Sequence, residues 1–149
     1  MNAFSDPVFQ AYTLAAAATI VLLYALGFLT AKTRADRKVV LNPEDVSVNG
    51  GSKVADVEHP DVLRIKRAHL NLLETAVPFF AIGFLYTATA PNLTLARALF
   101  GVFVLVRVLH AVFYLGAKQP FRTIMFAAGT LVNVTMLVQV LRALFAAMF

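Results

Sequence analysis

Four stretches of this chain run apolar for about twenty residues or more, and the polar residues gather between them. The first, Ala11 to Ala31, ends at Lys32, Arg34, Arg37 and Lys38. The second begins near Arg67 and runs to about Thr89, the third from about Thr94 to Gly116, and the fourth from Phe121 to about Leu141. Runs of this length are predicted to be membrane-crossing helices, because about 20 residues rising 1.5 Å each cover the hydrocarbon thickness. With flanking residues included, the spans are placed at about 10–32, 66–89, 94–116 and 121–143, with a cytoplasmic loop over 33–65. The turn at Pro91 and Asn92 and the tight connection Lys118 to Pro120 join the last three. One long and two short connections predict a single-domain, all-α, up-down four-helix bundle. The opening segment Met1 to Pro7 lacks the positive charge of a secretory signal, so the first run reads as a retained span.

The stretch from Lys32 to about Leu63 is too polar for lipid. Within it, Asn42-Pro43-Glu44-Asp45 predicts a short helix with Asn42 as N-cap, Pro43 in the first turn and the acids near the positive end of the helix dipole. Asn49-Gly50-Gly51 is the predicted stop. The loop either lies on the surface or folds back as a lid over a site at the membrane boundary. Pro78 removes a backbone hydrogen bond to the Glu74 carbonyl and predicts a kink at the polar end of the second span. Ala15 to Ala18 either allow close helix packing or simply face lipid.

Composition agrees with a membrane protein: 60% of the 149 residues are hydrophobic, and the mean hydropathy is +0.76. With no cysteine there is neither disulfide nor thiolate metal site, and His59, His69 and His110 lack the paired spacing of a zinc site, so no metal is expected. The net charge of +5 does not point to nucleic acid, since the basic residues flank apolar spans instead of forming a soluble basic face. Lys32, Arg34, Arg37, Lys38, Lys53, Arg64, Lys66, Arg67, Lys118 and Arg122 lie in or beside the first and third connections, against Arg97 and Arg142 on the other side. The positive-inside rule then places both termini away from the cytoplasm.

Some polar residues fall inside the spans. Arg67, Asn71 and Glu74 are spaced four and three apart and share a helical face; so do Arg107, His110 and Tyr114, spaced three and four. Glu74 lies roughly 10 Å past Arg67 and His110 roughly 12 Å before Lys118, so the two rows reach similar depth in one leaflet. Arg34 ends the first span and Arg122 starts the fourth at the same boundary. An ionised side chain at a span's centre costs about 2.5–3.5 kcal/mol on insertion scales, so these groups face each other or a wet cavity. Either Glu74 and Arg107 pair across a helix interface and the outer arginines are ordinary anchors, or the set lines a site. An amide, an imidazole and a phenol aligned with the charges suit the second: a small, polyanionic, peptide-like ligand from the cytoplasm meeting a lipophilic partner from the bilayer.

These residues resemble a known family. Asp61-Val62, the Arg67-Ala68-His69-x-Asn71-x-x-Glu74 motif, Pro78-Phe79, Arg107-x-x-His110-x-x-x-Tyr114-Leu115 and Pro120-x-Arg122, preceded by Asn42-Pro43-Glu44-Asp45 and Gly50-Gly51, are similar to the MAPEG proteins of eicosanoid and glutathione metabolism. The similarity runs from about Tyr24 to the last span and is nearest the branch of microsomal glutathione transferase and microsomal prostaglandin E synthase. The resemblance implies a homotrimeric, glutathione-dependent enzyme, with glutathione bound between protomers near the cytoplasmic side; the short multi-pass chain is compatible with a bacterial inner membrane or an endoplasmic reticulum. The resemblance also implies that Arg122 stabilises the glutathione thiolate and marks Asp45 as a further candidate for the chemistry; Thr123 or a helix N-terminus is the candidate hydrogen-bond donor to the sulfur. Arg34, Arg67, His69, Asn71, Glu74, Arg107, His110, Tyr114 and Tyr24 are the implied glutathione-binding residues. Leu70 stands where the prostaglandin synthase has arginine and the transferase leucine, and Thr123 and Phe126 replace a serine and a tyrosine of the synthase site. The expectation is therefore a transferase or peroxidase acting in detoxification on lipophilic electrophiles or lipid hydroperoxides. A glutathione-dependent isomerase of oxygenated lipids, a non-catalytic lipid-binding member and a small transporter are the competing readings.

Overall fold

In a computed structural model, which describes residues 3–48 and 50–149, four long helices carry the chain back and forth. A 3-10 turn (Ala3–Ser5) precedes α1 (Pro7–Arg37); α2 (Asp45–Val48) is one turn in the polar segment; α3 (Pro60–Thr87), α4 (Leu93–Leu115) and α5 (Phe121–Met148) complete the bundle. At 31, 28, 23 and 28 residues, α1, α3, α4 and α5 are each long and apolar enough to cross a membrane. The protein is an all-α integral membrane four-helix bundle.

Local chemistry sets the helix ends. Asp6 accepts a hydrogen bond from the Val8 N–H at 3.0 Å, with Pro7 in the first turn of α1. His59 does the same for Asp61 before Pro60, at 3.2 Å, and Asn92 for Leu95 at 3.1 Å. Both α1 and α3 continue past the apolar runs into the polar segment. Hydropathy marks where lipid could end, not where helix does, and Arg34 and Arg37 in the last turn of α1 favour its negative end.

The core lies between all four long helices, with Met136 and Val132 of α5 closing it against α3 and α4. Phe79 stacks on Phe103 with ring centroids 3.9 Å apart, and Phe100 and Tyr86 pack around them. Tyr12 of α1 crosses to donate to the Phe80 carbonyl at 2.8 Å, an approach that Gly83 permits, because a Cβ there would lie 2.9 Å from the Tyr12 ring. Polar ties hold α5 to α3: Asn133 Nδ2 donates to the Thr75 carbonyl at 3.0 Å and Tyr86 Oη to Gln139 at 3.1 Å.

Between α1 and α3 the polar segment folds against the end of the bundle. Val39–Val40 (β1) pairs in parallel with Lys53–Val54 (β2), and Val40 is buried. Helix α2 starts at Asp45, so Asn42 is not its N-cap: the Asn42 amide donates to Asp45 Oδ2 at 3.2 Å, and successive i to i+3 turns from Asn42 and Pro43 come first. Gly51, three residues past the end of α2, takes a left-handed φ of 79°, while Asn49 lies outside the described residues.

Glu58 fastens this segment. Its side chain is 3% exposed and accepts from Arg34 of α1 at 2.6 and 2.7 Å and from Lys66 of α3 at 2.9 Å. The Arg34 hydrogen bonds, then those of Lys66, outweigh desolvation and hold the carboxyl down at about 2 against an ordinary 4.5. A lowered carboxylate pKa stabilises above the unfolded value and is lost as pH falls from about 4.5 towards 2, a difference of about 3 kcal/mol. Thermal stability in detergent is therefore expected to fall over that window in the wild type and to fall less in Glu58→Gln, which starts lower at pH 7. Identical pH dependence in the two proteins would show that the carboxylate holds nothing.

Candidate functional site

At the polar end of the bundle a cavity of about 390 Å³ opens between α3, α4 and α5, lined by Pro60, Leu63, Arg64, Arg67, Tyr114, Ala117 and Arg122. Helical spacing delivers Arg64 and Arg67 to it, one turn apart on α3. Tyr114 comes from the last turn of α4 and Arg122 from the first turn of α5. The short connection from Gly116 to Pro120 is what brings Tyr114 and Arg122 together.

Arg122 is half-buried with its guanidinium carbon 4.5 Å from the centroid of the Tyr114 ring, a cation–π contact that restrains the charge without neutralising it. The Gln119 side-chain amide lies between Arg122 Nη2, at 2.6 Å, and Thr123 Oγ1, at 3.1 Å; its oxygen towards the arginine and its nitrogen towards the threonine satisfy both. No side chain caps the N-terminus of α5, so the positive end of its dipole adds to the Arg122 charge. Among the described residues no carboxylate lines the cavity.

The row on α4 steps from interior to cavity. Arg107, 1% exposed, lies wholly inside: it donates to Thr75 Oγ1 at 3.0 Å and to the Met125 and Phe126 carbonyls at 2.7 and 2.9 Å. His110, also buried, packs edge-on to Tyr114 with ring centroids 5.6 Å apart. Only Tyr114 reaches the opening. The Glu74–Arg107 pair that intramembrane charge alone allows is not made. Helix carbonyls with a free lone pair take the guanidinium instead, and Glu74 stays exposed beside a separate hollow of about 310 Å³ with Pro78, Phe126, Thr130 and Asn133.

The remaining candidates lie apart from this cavity within the single chain. Asn71 folds back onto its own helix, donating to the Arg67 carbonyl at 2.8 Å. His69 faces α1 near Gly27 and borders an apolar groove of about 410 Å³ with Lys66, Leu70 and Leu73. Tyr24 is 76% exposed on α1, Arg34 is held by Glu58, and Asp45 sits on α2 close enough for its charge to act on Arg34. The structure thus gathers Arg67, Tyr114 and Arg122, with Thr123 reached through Gln119. Arg64 and Gln119 are cavity neighbours that spacing arguments missed, although Gln119 stands three residues from Arg122 and Arg64 three from Arg67.

Comparison with known proteins bears on what such a cavity does. The family model described as MAPEG family matches residues 12–142. Prostaglandin E synthase of Macaca fascicularis is 36% identical over 140 residues, covering 93% of this chain and 91% of the relative. Prostaglandin E synthase of Homo sapiens is 35% identical over 138 residues, covering 92% and 90%. Microsomal glutathione S-transferase 1 of Sus scrofa is 40% identical over 144 residues, covering 93% and 92%.

Proposed function

Starting from the MAPEG family, to which this chain belongs, we propose that it is a membrane-embedded glutathione transferase that binds glutathione at the Arg67–Tyr114–Arg122 cavity and activates it as a thiolate. The observation that carries this is Arg122, a half-buried guanidinium seated on Tyr114 at a cavity mouth with no carboxylate among the lining residues. A free thiol titrates near 8.5, so a few per cent is ionised at neutral pH. A guanidinium about 4 Å from the sulfur contributes roughly 4 kcal/mol at an effective dielectric of about 20, whereas lowering the pKa by two units needs about 2.7 kcal/mol. One arginine suffices, and the α5 N-terminus adds in the same sense.

The thiolate then attacks a lipophilic electrophile or a lipid hydroperoxide arriving through the bilayer. Thr123 is the candidate donor to the sulfur. Asn71, Glu74, His69, Tyr24, Arg34 and Asp45 come to the ligand in this proposal only when a neighbouring protomer covers the outer faces of α1 and α3. Glu74, exposed on a membrane-crossing helix and without an ion pair among the described residues, supports such covering, since lipid is a costly surrounding for a carboxylate. The proposed assembly is a homotrimer with its sites towards the cytoplasm, the side to which the ten basic residues of the first and third connections belong by charge.

The names of the relatives favour a second reading, a glutathione-dependent isomerase of oxygenated lipids. Product analysis separates the two: a transferase consumes glutathione stoichiometrically, an isomerase returns it. For the common first step, mixing the purified protein with glutathione at pH 7 is expected to raise ultraviolet thiolate absorbance and release a proton. Binding without either signal would leave a lipid- or peptide-binding protein and no activated thiol.

A further inference from the structure

Charge pairing at the polar end of the bundle divides the basic residues into two groups. Arg34 and Lys66 share Glu58, at 2.6 and 2.9 Å, and Arg37 meets Asp61 at 2.6 Å. Asp61 is also 3.6 Å from His59 Nδ1. These contacts commit both carboxylates nearest the start of α3. Arg64, Arg67 and Arg122 make no ion pair among the described residues, yet all three line the one cavity with Tyr114. Arg64 also borders an adjoining hollow with Arg37 and Asp61, where the carboxylate is already taken by Arg37. Three guanidiniums around one hollow repel one another, and a bound anion relieves that repulsion.

We infer that Arg64 is a third anion-binding residue of this cavity and the specificity determinant for the glycyl carboxylate of glutathione. The inference rests on glutathione being the ligand. Its two carboxylates are chemically unlike. The γ-glutamyl carboxylate has its own ammonium group beside it, so that end is zwitterionic and suits a site offering both signs of charge. The glycyl carboxylate has none and suits a purely basic site. The cavity is of the second kind, because its lining holds three guanidiniums and a phenol and no acid. With Arg122 assigned to the sulfur, Arg64 and Arg67 remain for the carboxylate, one turn apart on α3 and able to hold it between them.

The test is equilibrium binding of glutathione and of its glycyl monoethyl ester to the detergent-solubilised full chain, wild type, Arg64→Gln and Arg64→Lys. Masking the carboxylate is expected to weaken wild-type binding about tenfold, the scale of a charge-assisted hydrogen bond. Arg64→Gln is expected to weaken glutathione by a similar factor and the ester by less than about threefold. Arg64→Lys should fall between, since it keeps the charge and loses the fork, and it also guards against a folding defect. Equal losses for glutathione and ester, or no loss, would overturn the assignment while leaving glutathione as the ligand. A wild type that binds neither would overturn the glutathione reading itself. The same cavity chemistry suits an anionic lipid headgroup, so phosphatidylglycerol is titrated in parallel: lipid binding that depends on Arg64, with glutathione binding that does not, would assign the residue to the membrane and overturn the proposal.

Discussion

Arg122→Ala should lower kcat/KM for a generic aromatic electrophile at pH 7 by about a hundredfold, with the protein still folded and still able to bind glutathione. The magnitude follows from the thiolate population. With the sulfur's pKa depressed about two units below 8.5, most of the bound thiol is ionised at pH 7; without the guanidinium, a few per cent is. That accounts for roughly thirtyfold, and lost orientation of the sulfur supplies the remainder. The sign is fixed by the direction of the depression. Activity is present above the bound thiol's pKa, so removing Arg122 moves the rising limb of the pH–rate profile upward by about two units, and the variant recovers much of its rate near pH 9. Arg122→Lys should keep part of the shift, as a point charge without the planar group that lies on Tyr114. The measurement is a kcat/KM profile from pH 6 to 9.5 with thiolate absorbance followed in parallel. An unchanged profile for Arg122→Ala would remove this residue from the chemistry.

The bundle was legible because lipid imposes long apolar runs that no soluble periodicity imitates, and Pro91-Asn92 and Lys118-Gln119-Pro120 punctuate them. Within it, the shared faces of Arg67, Asn71 and Glu74 and of Arg107, His110 and Tyr114 were also readable, since i, i+3 and i+4 spacing is a property of any helix. Which gap each face looks into was not. Arg67 meets the cavity while Glu74, two turns on, borders another hollow, and Arg107 turns inward to carbonyls of α5 that carry no signature in sequence. The pairing of Glu58 with Arg34 and Lys66 was equally hidden, because these residues lie 24 and 8 positions apart in a charged region where many pairings have equal claim. The strand pair of Val39–Val40 with Lys53–Val54 is too short to show any period. On α1, Tyr24 was named through the family resemblance, and the helix presents it 76% exposed, away from the cavity.

Gly129→Ala should be among the most destabilising single-methyl additions available to this protein, at about 3 kcal/mol. A Cβ at Gly129 would lie 2.6 Å from Arg107 Nε and 2.7 Å from its Cζ, and would clash with Nη2 as well. Overpacking alone costs about 1–3 kcal/mol, and here the obstacle cannot swing aside. The guanidinium is held by Thr75 Oγ1 and the Met125 and Phe126 carbonyls, and it packs near the Phe103 and Phe126 rings, 5.8 and 5.4 Å from their centroids. Displacing it would leave a charged group short of partners inside a membrane-crossing bundle, where a central arginine costs about 2.5–3.5 kcal/mol. Replacing the clamp should relieve the clash: Arg107→Met with Gly129→Ala is expected to lose clearly less stability than the two single changes added together. Size-exclusion chromatography after graded heating in detergent measures all four proteins. Strict additivity would mean that the two residues do not touch. Neither Gly129 nor Arg107 lines the cavity of Arg64, Arg67, Tyr114 and Arg122, so the loss in Gly129→Ala should appear in thermal stability, with the KM for glutathione of the surviving folded fraction unchanged. That split distinguishes an arginine that holds the helices together from one that holds the ligand, which depth in the membrane alone does not do.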